Sequence, residues 1–189
     1  MSERAFSVAA VIVGAGAGKR FGGSKAVATL ADGRRFLDVI SEAAMRAGLD
    51  PIVAVLPPGV EAFPNVRVVT NANPESEQIA SIRLGLAQLT NSPVDAALVW
   101  PVDHPFVQLE SVLAVLDGAR RTGSPIVVPV HNGHRGHPTY FHRDVWRELM
   151  TVADGGARAL LRGAAQRVLE VPVPDRGVLR GVNTKEDLS

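Results

Sequence analysis

Residues 8 to 25 read VAAVIVGAGAGKRFGGSK, an apolar run that breaks into glycines and cations. The run from Val8 to Val13 is typical of a buried strand. The glycines that follow allow sharp turns and let backbone amides approach a ligand closely. Successive amides in such a turn form a concavity that binds anions, and Lys19, Arg20 and Lys25 add positive charge there. The stretch therefore predicts a first strand followed by a loop that holds a polyphosphate.

Two commoner phosphate-binding loops do not fit this stretch. The Walker pattern Gly-x-x-x-x-Gly-Lys-Ser/Thr would need glycine at Val13 and a hydroxyl residue at Arg20. The dinucleotide pattern Gly-x-Gly-x-x-Gly would need glycine at Lys19 or at Phe21. The stretch is therefore either a phosphate-binding loop of a third kind or a glycine-rich turn whose charges are incidental.

The composition favours a folded protein in which any anion binding depends on local clusters of charge. The chain has 189 residues, of which 46% are hydrophobic, and we expect one domain over residues 1–189. With 20 basic and 19 acidic residues, the net charge of +1 gives no general attraction to nucleic acid or to a membrane, and we expect neither as a partner. Cysteine is absent, which excludes disulfides and thiolate metal sites and agrees with a cytoplasmic location.

Apolar strands alternate with amphipathic helices along the whole chain. This alternation predicts an α/β fold, a Rossmann-like three-layer sandwich with a mostly parallel sheet. In such sheets, ligands bind at the carboxyl ends of the strands, which here are the glycine-rich loop, Asp103 and the region after Val130. Residues 133–141 read as a turn and an extended segment. The predicted helices are 36–47, 78–89, 108–121, 145–150 and 156–161, and the predicted strands are 8–13, 51–56, 66–69, 95–100, 126–130 and 168–173.

Asp103 directly follows an apolar strand, in the segment Trp-Pro-Val-Asp-His-Pro-Phe. A carboxylate in this position beside a polyphosphate loop suits Mg²⁺, which binds one or two carboxylates together with phosphate oxygens. The alternative is that Asp103 caps the helix that begins near Gln108. The neighbouring His104 either contacts a ligand or is exposed.

The loop also resembles a known family. The stretch Val13-Gly14-Ala15-Gly16-x-Gly18-x-Arg20-Phe21-Gly22-x-x-Lys25 is similar to the Leu-Ala-Ala-Gly-x-Gly-x-Arg-Met/Phe-Gly-x-x-Lys signature of the MobA-like nucleotidyltransferases, which include the molybdenum cofactor cytidylyltransferases. Gly14 replaces the usual alanine. The resemblance implies that the nucleotide is bound by Ala15, Gly16, Gly18, Arg20, Lys25 and Asp103. It also implies that Arg20, Lys25 and Asp103 are catalytic.

Four further segments resemble the same family. Asp154-Gly155-Gly156-Ala157-Arg158-x-Leu160-Leu161 is similar to the family's Gly-Ala-Arg-x-Leu-Leu segment, which implies that it closes over the acceptor, and a helix capped by Asp154 is the alternative. Asn73-Pro74 followed by Ser81-Ile82-Arg83-Leu84-Gly85-Leu86 implies that Ser81 and Arg83 bind the nucleotide, although an ordinary amphipathic helix is the alternative. Arg135-Gly136-His137-Pro138-Thr139-Tyr140-Phe141 implies that Gly136, His137 and Pro138 line the acceptor site. The ending Asn183-Thr184-Lys185-Glu186-Asp187-Leu188 implies that Asn183 binds the metal together with Asp103.

Histidines at positions 131, 134, 137 and 142 form a cluster in the sequence. Several imidazoles suit zinc. However, His131, His134 and His137 recur every three residues on a segment broken by Gly and Pro, so they do not share a helical face. The resemblance of the His137 segment to the acceptor motif is the better explanation.

Taken together, the resemblance implies an Mg²⁺-dependent enzyme that transfers a nucleoside monophosphate from a triphosphate to a phosphorylated acceptor. Ala15 stands where guanylyltransferases usually have glycine, which favours CTP over GTP, and the motif at 136–138 favours molybdopterin as acceptor. A molybdoenzyme or its chaperone would then be a protein partner. The alternatives are a guanylyltransferase of the molybdenum cofactor, a cytidylyltransferase for a sugar or polyol phosphate, and a module that binds the cofactor or a nucleotide without turnover.

Overall fold

A computed structural model describes residues 6–16, 21–62, 64–73, 77–153, 156–163 and 165–188. In these ranges the chain forms eight strands in one sheet and five α-helices. The strands are β1 (Val8–Val13), β2 (Ile52–Leu56), β3 (Val66–Thr70), β4 (Ala96–Pro101), β5 (Ile126–His131), β6 (His134–Arg135), β7 (Thr139–His142) and β8 (Val168–Pro172). The helices are α1 (Phe36–Arg46), α2 (Gln78–Ala87), α3 (Leu109–Thr122), α4 (Trp146–Thr151) and α5 (Gly156–Gly163).

The sheet is mixed and mostly parallel, as predicted. Its strand order is β3-β2-β1-β4-β7-β5-β6, and β8 also pairs with β5. Strands β1 to β4 pair in parallel with one another, and β5 pairs in parallel with β8. Strand β7 lies antiparallel between β4 and β5. Because β7 is antiparallel to both neighbours, β4 and β5 run in the same direction and end at the same edge of the sheet.

The two faces of the sheet have separate hydrophobic cores, which confirms the three-layer prediction. Alternate side chains of a strand point to opposite faces. Accordingly, Ala10 and Ile12 of β1 belong to one core, with residues of α1 and α3, whereas Val11 and Val13 belong to the other, with residues of α2, α4 and α5. All six residues of β1 are buried, as expected for a parallel strand covered on both sides.

The predicted turn and extended segment at 133–141 contains β6, which forms a hairpin with β5, and most of β7. Thr139, the first residue of β7, pairs with Val99 near the carboxyl end of β4. The chain therefore enters β7 from the edge at which β4 ends. Antiparallel insertion of this strand brings residues 136–138 to the same edge as Asp103. Within the ranges that the structure describes, no helix is both long and apolar enough to cross a membrane.

Candidate active site

Lys25, Asp103 and Asn183 come together at the carboxyl edge of the sheet. The Lys25 Nζ atom lies 3.1 Å from Asp103 Oδ2 and 3.0 Å from Asn183 Oδ1. Lys25 begins a short 3₁₀ turn that is capped by the Ser24 hydroxyl, which accepts from the Ala26 N–H at 3.3 Å. The Lys25 and Asp103 side chains are 17% and 27% exposed, so a ligand can reach them. Three residues predicted from separate parts of the sequence thus form one cluster.

Backbone contacts position both oxygen-bearing residues of the cluster. The Val182 N–H donates to the Asp103 carbonyl at 2.7 Å and so holds the segment before Asn183 against the end of β4. The Asp187 carboxylate accepts from the Asn183 and Thr184 N–H groups at 2.7 and 2.8 Å. These backbone hydrogen bonds lower the pKa of Asp187. Asp187 was not predicted as a site residue from the sequence, and it acts here by fixing the turn that carries Asn183.

The cluster fits a divalent cation. A carboxylate oxygen and an amide oxygen both point at one cation, the Lys25 ammonium, and such oxygen donors are the ligands that Mg²⁺ and Mn²⁺ prefer. In the described ranges, no group of three or more His, Asp or Glu residues could hold a metal ion. Asp103 and Asn183 alone would leave several coordination positions for water and phosphate, as is usual for Mg²⁺ bound together with a nucleotide.

Two histidine rings lie beside this cluster. His104 and His137 have ring centroids 4.7 Å apart and meet edge to face, and the Nδ1 atom of each is buried with no hydrogen-bond partner among the described residues. The pKa of His137 is lowered to about 4, first by burial and then by the His104 ring. Burial also lowers the pKa of His104, an effect that the Asp103 carboxylate opposes. Both imidazoles are therefore neutral at pH 7. His104 is half-buried against His137, so of the two alternatives the structure does not show simple exposure, and a contact between His104 and a ligand stays a prediction.

Glycine at position 136 allows the acceptor motif to pack against the C-terminal segment. A Cβ atom at Gly136 would lie 2.5 Å from the Val178 carbonyl oxygen, and the same carbonyl accepts from the His137 N–H at 2.8 Å. Pro138, the next residue of the motif, is buried. The segment 175–183 therefore contacts the predicted acceptor motif through Val178 and carries Asn183 at its end.

The start of this segment is fixed by Asp175, which the sequence analysis missed. Its carboxylate is 4% exposed and accepts from the Gln108 N–H, the Ser111 hydroxyl and the Gly177 N–H, at 2.9, 2.9 and 2.7 Å. Gln108 is the N-cap residue of α3, so Asp175 caps this helix from a distant part of the chain. The alternative for Asp103, that it caps the same helix, is therefore not what the structure shows. A Pro-Asp pair in a Pro/Gly-rich tail gave no sequence signal for this role.

A cleft of about 730 Å³ adjoins the His137 side of the cluster. Its apolar surface comes from Ile79, Ile82, Val99, Val128 and Phe141, and its polar groups include Glu77, Gln78, Thr139 and His137. Arg135, Arg158 and Arg162 add three positive charges to the lining. A volume of this size suits a small-molecule substrate.

The remaining predicted residues lie in different environments. Ala15 is buried, at 3% exposure, whereas Gly16 is exposed. A Cβ at Gly14 would lie 3.0 Å from Val102 Cγ1, which explains why glycine replaces the family's usual alanine there. Gly18, Arg20 and Asp154 lie outside the described residues.

Two predicted nucleotide-binding residues of α2 already have protein partners. The buried Ser81 hydroxyl accepts from the Asn71 amide at 3.1 Å. Arg83 donates to the carbonyls of Leu149 and Val152, at the end of α4. These contacts are those of a packed amphipathic helix, the alternative that the sequence left open, and the nucleotide contacts of Ser81 and Arg83 stay a prediction.

The histidines of the sequence cluster do not converge. His131 Nδ1 lies 3.1 Å from the Val173 carbonyl oxygen, His142 Nδ1 lies 3.2 Å from Asp144 Oδ2, and His134 is exposed. Among the described residues these histidines form no metal-binding group, so the zinc alternative is rejected for this part of the chain.

The fold is a three-layer α/β sandwich, and a lysine–aspartate–asparagine cluster lies at the carboxyl edge of its sheet, beside a glycine-rich loop. This is the arrangement of a nucleotidyltransferase. Comparison with family profiles agrees, since the MobA-like NTP transferase domain matches residues 10–181. The chain belongs to this family, as the resemblance of its motifs implied. No curated protein sequence matches the chain.

Solved structures of the same fold cover nearly the whole chain. Rv0371c from Mycobacterium tuberculosis H37Rv is 25% identical, with a TM-score of 0.84, and the match covers 97% of this chain and 96% of that one. A manganese complex of the same protein matches with a TM-score of 0.77 at 24% identity, covering 96% and 95% of the two chains. A nucleotidyl transferase from Methanothermobacter thermautotroptrophicus gives 0.78 at 20% identity, covering 96% and 94%. The 2-C-methyl-D-erythritol 4-phosphate cytidylyltransferase from Thermus thermophilus gives 0.70 at 20% identity, covering 97% and 96%.

Proposed function

We propose that the protein transfers a nucleoside monophosphate from a triphosphate, with CTP preferred, to a phosphorylated acceptor, with Mg²⁺ as the cofactor. The observation that carries this proposal is the convergence of Lys25, Asp103 and Asn183 beside the glycine-rich loop. A module that only binds a nucleotide would not need an ammonium and a carboxylate in contact at a half-buried position. The cluster therefore favours turnover over binding alone.

In the proposed reaction, an oxygen of the acceptor phosphate attacks the α-phosphorus of the triphosphate. A new P–O bond forms, the bond between the α-phosphorus and the bridging oxygen breaks, and pyrophosphate leaves with the electron pair. This chemistry needs positioning and charge stabilisation rather than a covalent intermediate. Mg²⁺ bound by Asp103 and Asn183 would neutralise charge on the phosphate oxygens.

The ammonium of Lys25 provides the transition-state contact in this proposal. In the free protein it bonds to the Asp103 and Asn183 oxygens. With nucleotide bound, Lys25 exchanges these partners for the α-phosphate oxygens, on which charge develops. Arg20 and the loop amides would hold the departing pyrophosphate. His104 and His137, both neutral, would present imidazole nitrogens to the acceptor phosphate without adding charge.

Molybdopterin is the proposed acceptor, supported by the motif Gly136-His137-Pro138 and by its position between the cluster and the cleft. CTP is the proposed donor because Ala15 replaces the glycine usual in guanylyltransferases. Since Ala15 is buried, its methyl group would act by packing beneath the loop rather than by touching the base. A guanylyltransferase, or a cytidylyltransferase for a sugar or polyol phosphate, uses the same cluster and differs only in these two specificities.

Pyrophosphate release tests the proposal. The purified protein is mixed with Mg²⁺ and CTP or GTP, with molybdopterin, with a polyol phosphate, or with no acceptor. We expect release that needs both Mg²⁺ and molybdopterin and has a higher kcat/KM for CTP than for GTP. A higher value for GTP would overturn the donor, and release with the polyol phosphate alone would overturn the acceptor. No release under any condition would reject the enzyme in favour of a binding module.

A further inference from the structure

We propose that the chain has a second anion site, in which His131, Arg176 and Arg180 bind inorganic phosphate or pyrophosphate. The site is a recess of about 600 Å³ beside the tip of the β5–β6 hairpin. Its described lining consists of His131, Asn132, His134, Arg176, Leu179 and Arg180. The inference goes beyond the proposed function and does not depend on nucleotidyl transfer.

The recess lies on the opposite face of the sheet from the cleft. Alternate residues of a strand point to opposite faces. Val128 lines the cleft, whereas Val127 belongs to the core that contains residues of α1 and α3. His131 is four residues from Val127 in β5 and therefore shares the face of that core. An anion bound beside His131 is thus separate from a substrate held in the cleft.

Two of the four clustered histidines are neighbours in this recess. His131 pairs with His134 across the antiparallel strands β5 and β6, so the two side chains leave the same face about 4.5–5.5 Å apart at Cβ. His131 Nδ1 lies 3.1 Å from the Val173 carbonyl oxygen, which can only accept, so Nδ1 carries the hydrogen. This bond orients the ring and makes Nε2 the nitrogen that meets a ligand. Nε2 donates to an anion when the ring is protonated and accepts the O–H of a monohydrogen phosphate when it is neutral.

Arg176 and Arg180 give the recess its positive charge. In the described part of the chain, the Arg176 side chain makes no hydrogen bond or ion pair, and the residue is exposed. Arg180 is held in place, because its guanidinium carbon lies 4.0 Å from the Phe106 ring centroid and its Nη2 donates to the Asp187 carbonyl at 2.9 Å. A guanidinium has five N–H groups, so Arg180 can keep this contact and bind an anion as well. An arginine that is already ordered loses little side-chain entropy on binding.

The carboxylates close to these arginines in the sequence already accept hydrogen bonds from other groups. Asp175, which precedes Arg176, accepts three hydrogen bonds. The Asp187 carboxylate accepts two backbone N–H groups in the turn of Asn183. The described lining of the recess contains no carboxylate. Its two guanidinium groups therefore disfavour a metal cation on the histidine pair and attract an anion.

The size and lining of the recess define the class of ligand. A volume of about 600 Å³ suits a small molecule. Leu179 is the one apolar side chain of the described lining, so the recess could cover little apolar surface of a ligand. Phosphate and pyrophosphate match this lining, because they are small, polar and multiply charged, and arginine binds phosphate oxygens with two parallel N–H groups.

Calorimetric titration tests the site without metal or nucleotide. Phosphate and pyrophosphate are titrated at constant ionic strength into wild type, Arg176→Gln and Lys25→Ala, the last because the glycine-rich loop is proposed to hold pyrophosphate. Arg147→Gln, an exposed arginine of α4 outside the recess, is the matched control. We expect Arg176→Gln to weaken phosphate binding roughly tenfold or more, as for a lost hydrogen bond to a charged group, and to keep the wild-type melting temperature. Lys25→Ala and the control should stay within about twofold of wild type for phosphate.

Two results of this titration would overturn the site. One is phosphate binding that is lost in Lys25→Ala and unchanged in Arg176→Gln, and the other is no binding of either anion by wild type. The pyrophosphate titration of Lys25→Ala distinguishes the two ligands. Tighter binding of pyrophosphate than of phosphate there would assign both phosphate groups to the recess, and equal or weaker binding would assign a single phosphate.

Histidine NMR locates the bound anion. The chain has five histidines, so their ring C–H signals can be assigned by single substitutions. Phosphate should shift the signals of His131 and His134, and Arg176→Gln should remove these shifts. Unchanged signals of both histidines would overturn the location. Phosphate binding at His131 without any release in the pyrophosphate assay would retain the site and reject the proposed function.

Discussion

Replacing Gly136 with alanine should damage both the fold and the proposed acceptor site. The new Cβ would lie 2.5 Å from the Val178 carbonyl oxygen and 2.8 Å from both the Val178 carbonyl carbon and Cγ2. Since backbone atoms cannot rotate away, the segment around Val178 must move, and the 2.8 Å hydrogen bond from the His137 N–H would be stretched or lost. Overpacking costs about 1–3 kcal/mol, and a lost hydrogen bond about 0.5–1.5 kcal/mol. We therefore expect the free energy of unfolding to fall by about 2–4 kcal/mol.

Urea denaturation followed by fluorescence of the two tryptophans would measure this change. Gly163→Ala is the matched control, because a Cβ there meets no atom within 4 Å and the free energy of unfolding should change by less than about 0.5 kcal/mol. Pyrophosphate assays should also show a higher acceptor KM for Gly136→Ala than for the control. If the two variants were equally stable, the close approach of Gly136 to Val178 would not be a real constraint, and our account of the motif would be wrong.

Four further outcomes are expected. Lys25→Ala should lower kcat by about 10²–10³ with little change in the triphosphate KM, because its contact forms in the transition state, and a change in KM alone would refute that role in steady-state kinetics. Asp103→Asn should abolish most activity, with partial recovery as Mg²⁺ is raised, and near-normal rates at low Mg²⁺ would exclude a metal role. Because the pKa of His137 is lowered to about 4 in the folded protein, the unfolded chain binds this proton more readily, and the free energy of unfolding should fall as the pH drops from 6.5 to 4, by on the order of 3 kcal/mol. His137→Gln should weaken this dependence in urea titrations at several pH values, and the part due to the lowered pKa of His104 should remain. Asp175→Asn should lower the free energy of unfolding by about 2–3 kcal/mol, because the amide nitrogen that replaces one carboxylate oxygen cannot accept the hydrogen bonds made there. An unchanged urea midpoint would contradict the capping role.

Local patterns in the sequence were sufficient to predict the layers and the position of Asp103. The apolar run of β1 indicates a strand buried on both faces, and the rule that ligands bind at carboxyl ends places Asp103 beside the glycine-rich loop. The meeting of Lys25 with Asn183, 158 positions away, has no local signal and was predicted only from the family resemblance. Asp175 was missed because a buried cap supplied by a distant loop has the same sequence as an ordinary turn.

The strand order was likewise beyond the sequence pattern. An extended segment such as 139–142 has the same alternation whether it lies at an edge or between two strands, and whether it is parallel or antiparallel. The segment with Arg158 was expected to lie over the acceptor only from its family resemblance, since its residues alone are equally typical of an ordinary short helix. Only the packing of α5 against α2 and α4 shows that Arg158 and Arg162 line a cleft.

The contact between the acceptor motif and the segment 175–183 has a consequence for exchanging specificities between relatives. Consider a chimera in which residues 134–142 alone come from a relative. If that relative has a side chain at position 136, its Cβ would lie 2.5 Å from the native Val178 carbonyl oxygen. The resulting shift would pass along the segment to Asn183, so the proposed metal ligand would move although only residues of the predicted acceptor motif were changed. Residues 134–142 and 175–183 should therefore be exchanged together. Libraries that recombine both segments at once should recover far more active enzymes than libraries that recombine them separately.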